Sequence, residues 1–321
     1  MKQILQLIGR RVIQLVPVAL GATFVSFIMV NLQAGNVALG ILGNGATPTS
    51  IAQFNRQYGL NHALLYRYFA WLWHALHGNF GQSYETQQSV YSEISQRFPV
   101  TLELVILALL IALLTAIPSS ILVARRPMKF VDWTTRSVAM VGLSMPNFVL
   151  GAVLLFVFAV KIHLVPSIGY VPITQSLTGN LKIMILPAIT LAFGFFATYT
   201  RILRGDMIDQ IMSEEYVQTA KSKGLSEFRI LIRHVFKNSI FSFITVLGTN
   251  LGVLIGGSVV IEQVFSLTGM GNLLQSSVLQ KDAPVVQGLV AVICVAVVTA
   301  NLLTDIAYMV LDPRIRYGSA T

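Results

Sequence analysis

His74 and His77 stand three residues apart in an aromatic stretch with a helical pattern, so both imidazoles could face one metal ion. No cysteine or close carboxylate accompanies them, and structural roles in an aromatic interfacial helix are the stronger reading. Nucleophilic chemistry fares no better: there is no Ser/His/Asp set and no H-E-x-x-H. G-x-x-x-x-G-K-[ST] is also missing, so the chain has no such cradle for ATP phosphates and any ATP energy must come from another polypeptide. Two acids, Glu103 and Asp305, fall within apolar runs, where a charge is costly. Each either touches a transport pathway or snorkels and pairs with a neighbouring helix. Ser144, Met145, Pro146 and Asn147 gather polar atoms beside a helix-breaking proline and are the candidate pathway lining. No catalytic residue and no metal ligand is expected.

The polar segment EEYVQTAKSKGLSEFRILIRHVFKNS, Glu214 to Ser239, interrupts greasy sequence. Glu214 and Glu215 suit a helix N-terminus, and Lys221 and Lys223 suit its C-terminus. Gly224 can take the left-handed conformation that ends a helix. Ser226 can cap a second helix, with Glu227 in its first turn. There Phe228, Leu231, Ile232 and Val235 fall on one face, and Arg229, Arg233 and Lys237 form a basic stripe. Two short helices about a glycine turn either lie on anionic lipid or fit a cytosolic partner.

The elements that would hold these groups follow from composition. Of 321 residues 55% are hydrophobic and only 11% charged, with mean hydropathy +0.71, which is membrane-protein composition. The net charge of +9 is explained by the cytosolic bias of Lys and Arg rather than by nucleic acid. The lone Cys294 forms no intrachain disulfide. About 20 apolar residues cross a bilayer as a helix. Six runs qualify: Val12–Leu32, Val100–Ala124, Val138–Val160, Ile183–Ile202, Ile240–Ile261 and Val285–Leu311. Pro118, Pro146 and Pro187 are expected to kink or break helices, and Gly248, Gly252, Gly256 and Gly257 to form a small-residue packing face.

With the N-terminus in the cytosol, sixteen of the 22 Lys and Arg fall on the cytosolic side, including Arg10, Arg125, Arg136, Arg204, Lys221 and Arg314. Both termini and the polar segment are therefore expected inside. The division expected is an anchor helix at 1–32, an extracytoplasmic segment at 33–99, a five-helix core at 100–311 containing a cytosolic loop at 203–238, and a cytosolic tail at 312–321. The segment 33–99 reads as an interfacial helix, a cap on the pathway or a docking surface.

The polar segment resembles the coupling, or EAA, loop of ABC importer permeases. Against that general pattern only Ala220 and Gly224 match, but EYVQTAKSKGL and RHVFKN look like the form in the dipeptide/oligopeptide/nickel branch. GLSMPNFVLG (Gly142–Gly151), LVPSIGY, ILPAITLAF, GGSVVIEQVFSLTGMG and the tail LLTDIAYMVLDPRIRYG resemble the same branch, across almost the whole chain. HGNFGQS is similar to its GDLGxS, with Asn79 in place of Asp. The resemblance implies the first (B-type) permease subunit: an all-α membrane protein with six transmembrane helices and the type I ABC importer permease fold. It implies a bacterial inner-membrane location, multi-pass with both termini cytosolic. Partners implied are a second permease in a heterodimer, two cytosolic ATPase subunits that bind ATP and Mg, an extracytoplasmic substrate-binding protein and membrane lipid. Glu215, Tyr216, Thr219, Ala220, Lys223, Gly224 and Leu225 would couple to the ATPase, Ala220 and Gly224 letting the helix seat closely, while the Phe228 face packs on the permease. The expected cargo is di- or oligopeptides, with nickel, a metal chelate or another small solute as the alternative within the branch. A self-sufficient secondary transporter would need internal repeats and a charged midplane site, and neither is clear in the sequence.

Overall fold

The computed structural model describes residues 2–32, 37–166 and 169–311. The expected tail 312–321 with Arg314 and Arg316, Ser167 and Ile168 of LVPSIGY, and residues 33–36 lie outside the described residues. In chain order the helices are α1 (Lys2–Leu32), α2 (Val37–Leu42), α3 (Pro48–Gln57), α4 (Leu64–Leu76), α5 (Val90–Arg125), α6 (Phe130–Ser144), α7 (Asn147–Leu154), α8 (Leu177–Ser213), α9 (Glu215–Ser222), α10 (Glu227–Ile230), α11 (Phe236–Val264), α12 (Met270–Leu279) and α13 (Ala283–Leu311). A π-helical stretch at Leu155–Lys161 extends α7, and another at Leu231–Val235 joins α10 to α11.

Four described helices are long and apolar enough to cross a membrane: Val90–Arg125, Leu177–Ser213, Glu227–Val264 and Ala283–Ala307. The expected third span, Val138–Val160, is not one rod. It is α6 and α7, bent by 106° at Met145–Pro146, and counted together they give a fifth. Proline at this point lacks a donor N–H and pushes its predecessor out of the helical region. Met145 is accordingly extended, at φ −93° and ψ 124°. By contrast α5 runs through Pro118 and α8 through Pro187 without interruption. Of the three prolines expected to disturb helices, only Pro146 stands at a break. The expected first span falls on α1, whose described apolar stretch, Val16–Asn31, is shorter.

The chain divides into two compact units. The first holds residues 1–101 together with 268–298. Its core joins Val30, Ala38, Phe54 and Tyr84 to Ala283 and Val286. A second cluster joins Val90 and Ile94 to Met270, Leu273, Val285 and Leu289. Helix α4 is anchored to α1 by Tyr68, whose ring meets Phe24 and Phe27 and whose hydroxyl reaches Thr23 Oγ1 at 3.0 Å. Its opposite face leaves Leu65, Phe69, Trp73 and Leu76 exposed. Buried Asp282 closes this unit across nearly 200 positions, accepting the Ser83 hydroxyl and the Tyr84 N–H at 3.1 Å. Asp282→Ala should cost about 2 kcal/mol, because two buried donors lose their acceptor. An unchanged unfolding midpoint for that variant would contradict this role.

The second unit holds residues 102–267 and those from 299 onward. Helix α8 is its axis, packed by α6, α7 and α11. Met184, Leu191, Tyr199, Leu203 and Met207 of α8 are fully buried. Close approach depends on missing Cβ atoms. One on Gly142 would stand 3.0 Å from Ala197 Cβ, and one on Gly151 would stand 3.1 Å from Thr190 Cγ2. The two glycines that bound the GLSMPNFVLG segment thus seat its two helices on α8.

Candidate coupling segment and helix break

Helix α8 continues well past the 20 residues a bilayer requires and delivers the chain to α9. Glu214 breaks the rod with extended dihedrals (φ −92°, ψ 126°), and Glu215 places a carboxylate in the first turn of α9. The Tyr216 hydroxyl donates to Gln210 Oε1 and ties α9 back to the last turns of α8. Thr219 Oγ1 donates to the Glu215 carbonyl at 3.1 Å.

The end of α9 is a full Schellman motif. Gly224 has φ +74°; its N–H reaches the Lys221 carbonyl at 2.9 Å, and the Leu225 N–H reaches the Ala220 carbonyl at 3.3 Å. A Cβ on Gly224 would meet nothing within 4 Å, so the demand for glycine there comes from the backbone alone.

The faces differ from expectation in two ways. Val217 and Ala220 are buried within this chain, so Ala220 does not supply an outward seat. Glu215, Gln218, Thr219 and Ser222 form the exposed stripe instead, at i, i+3, i+4 and i+7, with Lys223 and Gly224 exposed beyond it. The second helix is not separate either: residues 227–264 form one apolar rod with the π turn inside it. Ser226 occupies the N-cap position without a side-chain cap bond. Ile230, Leu231 and Val235 face inward, whereas Phe228 is 58% exposed. Phe228, Ile232, Phe236 and Ile240 line an open groove beside Arg229, Arg233 and Lys237.

At the break, Met145 N–H closes α6 on the Val141 carbonyl at 2.9 Å, and Val149 N–H opens α7 on the Pro146 carbonyl at 3.0 Å. A Cβ on Gly194 of α8 would lie 3.3 Å from Asn147 Oδ1, so the Asn147 amide rests over that glycine. Ser144 and Pro146 are exposed, and Met145 and Asn147 half-buried. All four expected pathway residues therefore share one junction on α8. Glu103, by comparison, accepts the Tyr170 hydroxyl at 2.8 Å. His77 places Nδ1 2.8 Å from the Trp73 carbonyl and its ring against Trp73, while His74 is exposed on the same helix.

The sequence reading missed Asp132. Its fully buried carboxylate receives Arg204 Nε at 2.7 Å and Nη2 at 2.9 Å, Arg136 Nη2 at 2.8 Å and the Met128 N–H at 2.9 Å. The bidentate fork from Arg204 pins the start of α6 to the C-terminal part of α8, eleven residues before α9. The available signal was the i, i+4 spacing of Asp132 and Arg136.

These features have close relatives. Residues 116–317 match the family described as "Binding-protein-dependent transport system inner membrane component", and residues 4–105 match its N-terminal companion. The chain belongs to this family. The permease is 38% identical over 97% of its length to a Brucella abortus protein named for peptide transport, covering 99% of that relative. It is 34% identical to the oligopeptide transport system permease protein AppB of Bacillus subtilis, over 96% of this chain and 98% of that one. Identity is 32% to the dipeptide transport system permease protein DppB of Escherichia coli, over 98% and 99%. Among solved structures, an amino acid ABC transporter chain matches with TM-score 0.50 at 18% identity, covering 68% of this permease and 93% of that chain. The permease has the type I ABC permease fold and is a multi-pass membrane component, not a catalytic subunit.

Proposed function

We propose that this permease imports di- or oligopeptides, forming the pathway by alternating access with a second, similar permease. Two cytosolic ATPase subunits would bind the ATP and Mg, an extracytoplasmic binding protein would deliver the peptide, and both termini would lie in the cytosol with α9. The names of the full-length relatives support the cargo, and the Lys/Arg distribution supports the orientation. The mechanical reading rests on one observation: an eight-residue helix, α9, closed by a left-handed glycine and showing an exposed Glu215–Ser222 stripe. In this mechanism the ATPases grip that stripe, with Glu215, Thr219, Lys223, Gly224 and Leu225 at the contact or its turn. Tyr216 and the inward Ala220 hold α9 to its own chain. The motion passes through α8 to the Ser144–Asn147 junction, which lines the route.

The test is a pair of substitutions at Gly224 in the reconstituted complex. A non-glycine residue in the left-handed region costs about 1–2 kcal/mol, least for Asn and most for β-branched residues. Gly224→Asn should retain most dipeptide uptake. Gly224→Val should lose about tenfold in uptake per ATP hydrolysed, with the complex still assembled. Wild-type uptake by Gly224→Val would sink the coupling role. In competition assays, rescue by nickel and not by dipeptides would reject the peptide cargo.

A further inference from the structure

Away from α9 and the helix break, the first unit contains a cavity of about 360 Å³. That size falls in the range of small-molecule sites. Phe27, Tyr58, Tyr66, Trp71, Phe80 and Tyr84 supply aromatic walls. Arg67 and Gln287 are polar members of its lining. Arg67 is half-buried and has no carboxylate partner among the described residues; Nη2 donates to Asn31 Oδ1 at 2.6 Å, and its guanidinium lies 5.8 Å from the Phe27 ring centre. Gln287 lines the cavity at only 5% exposure, and no described residue hydrogen-bonds its side chain. Trp71 Nε1 is buried without an acceptor among the described residues.

Unmatched buried donors are costly, and a native interior contains few of them. Trp71 Nε1 is one of these, and Gln287 shares the cavity with a guanidinium that no described carboxylate neutralises. The Tyr84 phenol, which interacts with Arg67, is pushed up to about 12 chiefly by burial, so it remains neutral. The nearby acid, Asp282, is already engaged by Ser83 and the Tyr84 N–H. The cavity therefore presents one net positive charge, planar and forked, with neutral donors and aromatic walls around it. A monoanion with a flat or apolar body matches this set, whereas a dianion would be left with excess charge.

We propose that this cavity binds a small apolar monocarboxylate, its carboxylate on Arg67 and Gln287 and its body against the aromatic walls. The proposal is independent of the peptide reading, since any small carboxylate of this shape satisfies it. The test uses the full chain in phosphatidylcholine nanodiscs and equilibrium binding of radiolabelled 4-phenylbutanoate, with 4-phenylbutanamide as the uncharged competitor. The acid should bind at least about tenfold more tightly than the amide, the ratio for one charge-assisted hydrogen bond. Arg67→Gln should lose about tenfold or more, and Gln287→Leu a few-fold. Arg67→Lys, which keeps the charge and loses the fork, should fall between wild type and Arg67→Gln, and it carries the test if the glutamine variant misfolds. Equal binding of acid and amide, or unaltered binding by folded Arg67 variants, overturns the proposal. So does loss of binding in nanodiscs containing phosphatidylglycerol, which would assign the cavity to a lipid headgroup.

Discussion

Asp132→Ala is expected to destabilise the permease by about 3 kcal/mol, the lower part of the range for removing one partner of a buried ion pair. The lower part applies because Arg136 is half-exposed and can rehydrate, whereas Arg204 is only 19% exposed and cannot do so fully. The variant strips Arg204 of both its hydrogen bonds to the carboxylate and leaves the Met128 N–H without its acceptor. Arg136→Ala should move the unfolding midpoint far less than Asp132→Ala, because its exposed guanidinium forms a solvent-screened pair. Adding Arg204→Leu to Asp132→Ala should recover part of the loss, since it removes the uncompensated charge. Thermal unfolding of the detergent-solubilised chain separates these outcomes. An Asp132→Ala midpoint equal to wild type would show that this carboxylate does not pin α6 to α8.

Gly248→Val should be at least as damaging. A Cβ at this position would sit 2.2 Å from Thr304 Cγ2 and 2.9 Å from Thr304 Cβ, distances that real Cβ atoms do not adopt. Overpacking usually costs about 1–3 kcal/mol, and this clash is with atoms near a backbone rather than a flexible tip, so the upper end or more is expected. Thr304→Gly should partly rescue the variant, because it removes the atoms struck. Gly256 supplies the contrast. A Cβ there meets nothing within 4 Å, so Gly256→Ala should stabilise α11 by about 0.5–1 kcal/mol. If both substitutions shifted the unfolding midpoint equally, the steric reading would fail.

Much of the molecule was legible because membrane helices carry their signal locally. Hydropathy alone places the apolar parts of α5, α8, α11 and α13, since lipid contact demands apolar residues over a whole helix length. Pro146 marked the break for an equally local reason. Pro118 and Pro187 carried the same letter without the same outcome, which depends on the neighbours that re-satisfy the freed backbone groups. Gly224 was readable as a left-handed terminator from a polar helix ending in lysines. Which face of α9 points inward was not, because Val217 and Ala220 are buried by residues outside that helix. Likewise, no local pattern announces that 268–298 folds with the first hundred residues. Its ties, such as Ser83 to Asp282, span 199 positions. Arg204 counts in the sequence only as one of the cytosolic-side charges, and only the fold brings it to Asp132 from 72 positions away.

The π turn at Leu231–Val235 has a geometric corollary. An α-helix advances 100° per residue, so positions four apart drift by about 40° around the axis. A wider turn absorbs that drift, which is how Leu231, Val235 and Ser239 stay on a common azimuth while Phe228 and Ile232 swing out of it. Deleting one residue inside that turn would make it an ordinary α turn and leave the flanking faces in register. Deleting one just upstream of it would instead re-index everything before it by roughly 100°. The lever and the rod would each survive intact, pointed at the wrong neighbours.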